Sequence, residues 1–93
     1  MIEIYGIMTD PNLVRCHACD SVVERLDYEE LDYVFKTILR ATDNELGFSY
    51  DRPVIDELRK RINKPKGVLT VPYIFVNGTY IGGAQALFEY LES

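Results

Sequence analysis

The sequence predicts an α/β chain in the order β-α-β-α-β-β-α, with a four-stranded mixed sheet flanked by helices. Three observations carry this. Apolar residues recur at i, i+3, i+4 and i+7 at Cys19, Val22, Val23, Leu26 and again at Ala84, Leu87, Phe88, Leu91, one face of a helix each time. Short runs rich in Ile, Tyr, Val and Phe stand between the helical segments. Asn77-Gly78 interrupts the last such run, and Asn-Gly is the strongest short hairpin signal.

Taken in order, residues 2–8 read as a short strand, with Ile2 and Ile4 flanking Glu3. Residues 9–15, TDPNLVR, carry Asp-Pro and Asn and predict a loop. A helix follows over Cys16 to Leu26. Tyr33 to Leu39, YVFKTIL, is rich in β-branched and aromatic residues and reads as a strand, with a helix the alternative. Residues 41–51 are polar with one Gly and predict a loop. Pro53 suits the first turn of the next helix, where its missing N–H costs nothing. Val54, Ile55, Leu58 and Ile62 supply that helix's apolar face, and Asn63 to Gly67 stops it. Tyr73 to Val76 is an unbroken apolar run, as in a strand covered on both faces. Thr79 to Ile81 returns from the hairpin, Gly82-Gly83 breaks the strand, and the second amphipathic helix closes the chain. The first βαβ unit implies parallel strands and a right-handed crossover.

Ninety-three residues predict a single domain spanning 1–93. Net charge is −5, a poor match to nucleic-acid or anionic-membrane binding. The charge is segregated. Asp20, Glu24, Asp27, Glu29, Glu30 and Asp32 face only Arg25 in one segment; Arg52, Arg59, Lys60, Arg61, Lys64 and Lys66 outnumber Asp56 and Glu57 in another. Solvated helix faces account for both runs, and a cationic rim for an anionic small molecule is the alternative for the second. No apolar run approaches the ~18 residues of a membrane span. The opening MIEIYGIM lacks the basic start of a signal peptide, so a cytoplasmic protein is expected.

The two cysteines, Cys16 and Cys19, carry the chemistry. Two cysteines cannot make a disulfide scaffold or a self-contained four-cysteine zinc site. A mere staple is a weak reading, since closing so short a loop stabilises by only about 2 kcal/mol. The pair stands where a loop meets a helix N-terminus, whose free N–H groups and dipole favour a thiolate, and Arg15 adds a positive charge. The spacing returns Cys19 to within one turn of Cys16. Cys16, at the exposed end, is the expected nucleophile; Cys19, on the apolar face, is the expected resolving thiol. Two buried unreactive thiols, or a metal or iron–sulfur site bridging two chains, are the alternatives. His17 is either an exposed spacer or an imidazolium that stabilises the Cys16 thiolate. Thr70-Val71-Pro72 precedes the central strand, and a trans bond is the default there.

These motifs together resemble the glutaredoxins of the thioredoxin superfamily, and in particular the small glutaredoxins of T4-like bacteriophages. CHAC at 16–19, TVP at 70–72 and VNGTYIGG at 76–83 carry the resemblance in the family's order and cover nearly the whole chain. The resemblance implies a thioredoxin-like fold and a cis Val71-Pro72 bond that sets Pro72 against the active-site sulfurs. It further implies that the Val71 backbone pairs with the cysteinyl part of glutathione. Gly82, Gly83 and the helix start at Ala84 and Gln85 would receive the glutamyl end. Tyr73, Arg15 and His17 would lie beside that site. The implied activity is reduction of protein disulfides, with ribonucleotide reductase as the partner and glutathione or a thioredoxin reductase as the electron source. No metal is expected, and a monomer is. The chain departs from the family in having His17-Ala18 between the cysteines rather than Pro-Tyr. It has no carboxylate in Gly83-Ala84-Gln85-Ala86, and its loops at 9–15 and 41–51 are longer than in a minimal glutaredoxin. The alternative functions are a metal or iron–sulfur module and a docking protein without redox turnover.

Overall fold

The computed structural model describes residues 1–7, 16–42, 45 and 47–93. The elements are β1 (Ile2–Gly6), α1 (His17–Tyr28), β2 (Tyr33–Thr37), β3 (Leu39–Ala41), β4 (Phe48–Tyr50), α2 (Arg52–Ile62), β5 (Tyr73–Val76), β6 (Thr79–Gly82) and α3 (Ala84–Glu92). The main sheet has the order β2-β1-β5-β6. β1 and β2 are parallel, whereas β5 is antiparallel to both β1 and β6. The expected four-stranded mixed sheet is therefore present, and the seven expected elements occur in their expected order with two further strands, β3 and β4, between β2 and α2.

Alternation along the strands divides the core between the two faces of the sheet. Ile2 and Ile4 of β1 and Ile74 and Val76 of β5 pack with Val22 and Leu26 of α1 and Leu87 of α3. Tyr5 of β1 and Tyr73 and Phe75 of β5 pack with Leu58 of α2. The four consecutive apolar residues of β5 are all buried, as a strand covered on both faces requires.

Local chemistry sets the element ends. The Asp51 carboxylate caps α2 by accepting from the Val54 amide at 3.3 Å, and Pro53 lies in the first turn. Asn63 closes α2 in the left-handed region, φ 55°. Asn77 and Gly78 both have positive φ, 50° and 84°, which gives the hairpin a twist matching its strands.

The loop expected over residues 41–51 is corrected. Phe48–Tyr50 pairs antiparallel with Leu39–Ala41 as a separate two-stranded sheet. The strand read through Leu39 therefore ends at Thr37, and Ile38 joins the two sheets. Its amide donates to the Gly6 carbonyl, and its own carbonyl accepts from the Asp51 amide, both at 2.9 Å. Gly47, just before β4, has φ 77°, and its carbonyl accepts from the Thr42 amide. The loop expected at 9–15, with Arg15, lies outside the described residues.

The basic run on α2 is also more than a solvated face. Arg61 grips the Glu3 carboxylate with both guanidinium ends, at 2.8 and 3.1 Å, and donates to the Tyr5 hydroxyl at 3.0 Å. Its guanidinium lies 3.9 Å from the centre of the Phe75 ring. This arrangement holds α2 on β1 and β5, and it keeps Glu3 charged: the hydrogen bond from Arg61 holds the Glu3 carboxyl below its ordinary range. Arg59 donates to the Lys64 and Gly67 carbonyls, and Lys64 to that of Val68. These two bases fasten the chain between α2 and β5.

Candidate active site

Cys16 is the N-cap of α1, in extended backbone, and its sulfur accepts from the Cys19 amide at 3.2 Å. A short polar side chain ahead of an apolar helical stripe is the ordinary means of satisfying a first-turn amide. Here a sulfur does it. The sulfurs of Cys16 and Cys19 are joined as a disulfide, with the Cα atoms 5.3 Å apart. Cys16 is partly exposed, and Cys19 is buried at 1% exposure. This asymmetry is the one expected of a nucleophile and a resolving thiol. His17, the first residue of α1, is exposed.

Underneath the pair lies Gly6, the last residue of β1. A Cβ built on Gly6 would stand 2.8 Å from the Cys19 sulfur and 3.3 Å from the Phe35 ring. Sequence reading did not single out Gly6. The signal was present: a lone Gly ending an apolar strand commonly marks a close approach.

The register brings the second motif to the same place. β1 and β5 pair from Ile2↔Val76 to Tyr5↔Tyr73. Continued by one residue, that register sets Pro72 across from Gly6. The Val71–Pro72 peptide is cis. Pro72 is buried and Val71 partly so. Tyr73 points to the opposite face, into the cluster beneath α2, and its hydroxyl accepts from the Thr70 amide at 3.1 Å. It supports the Thr70–Pro72 turn from behind rather than lining the cysteine side.

The third motif completes the neighbourhood. A Cβ on Gly83 would lie 3.5 Å from the Pro72 carbonyl oxygen. Gly83 is the N-cap of α3 and supplies no side-chain hydrogen bond, so the first amides of α3 have no cap from it. Gly82 has φ 127°, and a Cβ there would meet the Ala86 Cβ at 2.8 Å. Ala84 is partly buried. Gln85 is exposed, and its amide donates along its own helix to Glu89 at 3.4 Å. Cys16, Cys19, Gly6, Pro72 and Gly83 are thus brought to one end of the sheet, although the cysteine motif lies far from the other two in sequence. Among the described residues, no three His, Cys, Asp or Glu side chains come together as a metal site. No helix among them is long and apolar enough to cross a membrane.

The chain is similar to an uncharacterised 11.8 kDa protein of the Gp55–nrdG intergenic region of Enterobacteria phage T4. The two are 37% identical over 76 residues, which is 82% of this chain and 70% of the relative. The chain belongs to the family of that phage protein. Among solved structures it is similar to glutaredoxin 1 from Francisella tularensis complexed with cacodylate, with a TM-score of 0.60 and 16% identity over 98% of this chain and 91% of that one. Its fold is the thioredoxin-like fold of the glutaredoxins. No family model matches the chain.

Proposed function

We propose that the protein is a dithiol–disulfide oxidoreductase of glutaredoxin type. The observation that carries this reading is the Cys16–Cys19 pair at the start of α1, the first residue partly exposed with its sulfur capping the helix, the second buried. In the dithiol form, the Cys19 amide and the helix N-terminus stabilise negative charge on the Cys16 sulfur. The Cys16 thiolate attacks one sulfur of a substrate disulfide, forms a mixed disulfide and releases the other sulfur as thiolate. The Cys19 thiolate then attacks the Cys16 sulfur and releases the second substrate thiol. The substrate gains two electrons, and the Cys16–Cys19 disulfide holds the oxidation. Two thiols of glutathione return the dithiol and leave as glutathione disulfide; a thioredoxin reductase is the alternative donor.

The assigned glutathione groove runs from Val71, whose backbone would pair with the cysteinyl part, to Gly82, Gly83, Ala84 and Gln85, which would receive the glutamyl end. The uncapped start of α3 supports that end as an anion site. His17 would flank the groove. A disulfide-bearing protein is the substrate class. A relative encoded beside nrdG fits ribonucleotide reductase as that partner. We assign the protein to the cytoplasm, as a monomer.

The test is a small disulfide offered with glutathione and glutathione reductase, then with thioredoxin reductase. Turnover that depends on Cys16 is expected with one donor or both. No turnover with either donor overturns the reading.

A further inference from the structure

We propose that Gly6 is a positioning residue for Cys19, and that the space left by its missing Cβ sets how far the cysteine pair favours the disulfide. The inference rests on the oxidoreductase reading in taking the pair to cycle between the two states. Gly6 is not among the glycines with positive φ, so its backbone admits an L side chain. What excludes one is room. A Cβ would lie 2.8 Å from the Cys19 sulfur, well inside the ~3.5–4.0 Å of an ordinary contact. It would also meet the Phe35 ring at 3.3 Å, so a second side chain crowds the same space.

The cost of that Cβ differs between the two redox states. In the disulfide, the Cys19 sulfur is bonded to Cys16 one turn away and has no other rotamer to adopt. In the dithiol, the bond is absent and the thiol can rotate about its Cα–Cβ bond to a second staggered position. A methyl at position 6 therefore penalises the oxidised protein more than the reduced one. The same bond forms when Cys19 resolves a mixed disulfide on Cys16, so the penalty also falls on that step. It does not fall on the first attack, which uses Cys16 alone.

Gly6→Ala is expected to shift the equilibrium with glutathione toward the dithiol by about tenfold, equal to about 30 mV for a two-electron couple. It is also expected to accumulate the mixed disulfide during turnover. The experiment equilibrates native protein and Gly6→Ala in glutathione redox buffers, and measures denaturant unfolding of each in both redox states. A potential raised toward the oxidising side, with stability lost mainly in the oxidised protein, supports the inference. An unchanged potential, or equal losses in both states, overturns it. If Gly6→Ala does not fold, the variant is repeated with Cys19→Ala. The Cys19 Cβ stands at an ordinary 3.7 Å from the added methyl, so removing the sulfur is expected to restore folding. Failure to restore it overturns the inference. Turnover assays judge the oxidoreductase reading separately, since the equilibrium with glutathione is read on the protein without any substrate.

Discussion

The amide of Cys19 donates to the sulfur of Cys16 across one turn of α1, at 3.2 Å. Cys19 thus acts on its partner twice, through a backbone N–H that needs no side chain and through a thiol that does. Replacing its side chain removes only the second action. Cys16→Ser is expected to abolish turnover of disulfide substrates. Cys19→Ser is expected to keep Cys16 alkylation near the native rate and to retain reduction of glutathione mixed disulfides, while losing reduction of protein disulfides. Alkylation that collapses in Cys19→Ser would show that the thiol, not the amide, activates Cys16.

The same amide predicts a pH profile. With its charge held at a helix N-terminus, the Cys16 thiolate is expected to persist below about pH 8.5, where an ordinary thiol is half protonated. Alkylation rate against pH on the reduced protein reads this directly. A midpoint at the ordinary thiol value would remove the helix start from the mechanism.

Glu3 and Arg61 give a prediction for stability rather than activity. Arg61 holds the Glu3 carboxyl below its ordinary value of 4.5, so the folded state binds the Glu3 proton less readily than the unfolded chain. The stabilisation is complete above that ordinary value and is lost as pH falls through the lower folded value. Glu3→Gln is expected to lower stability at neutral pH by about 1–2 kcal/mol. The gap from the native protein is expected to narrow through the acid range. A gap that stays constant from neutral to acid pH would assign the loss to packing alone.

Gly82→Ala combines two penalties. Its φ of 127° lies where L residues are strained, and the new Cβ would meet Ala86 at 2.8 Å. A loss of about 2 kcal/mol or more is expected in denaturant unfolding. Because Gly82 sets the entry to α3, the affinity for glutathione is expected to fall as well. A fully stable Gly82→Ala would mean that β6 and α3 can move apart without cost.

Asp51→Ala offers a contrast on the opposite face of the sheet. It removes the cap of α2 and is expected to cost about 1 kcal/mol while leaving disulfide turnover intact. Loss of turnover at native stability would place α2 in the chemistry.

Much of the site was legible because its signals are local. Cys16 and Cys19 share one helix start, and Pro72 and the Gly82-Gly83 pair punctuate strands in ways that single residues dictate. The β3–β4 hairpin was less visible. Phe48 and Tyr50 do alternate around Ser49, but the segment is short and polar overall. Its pairing with Leu39–Ala41 and its tie to Ile38 depend on where the main sheet places that chain. Arg61 was equally opaque, since its partner Glu3 is far away in sequence and on another element.

By itself, then, the sequence determined the order of the elements that build the main sheet and its helices, the closely spaced cysteine pair and the different burial of its two members. These follow from periodicity and from turn chemistry within a few residues. Only the tertiary structure decided that Gly6 lies under the Cys19 sulfur, that β5 pairs with β1 in the register that leads Pro72 toward Gly6, and that Tyr73 braces the turn from the far face. Such relations depend on strand register and on side chains from distant segments filling the same space, and neither is encoded in any one stretch of chain.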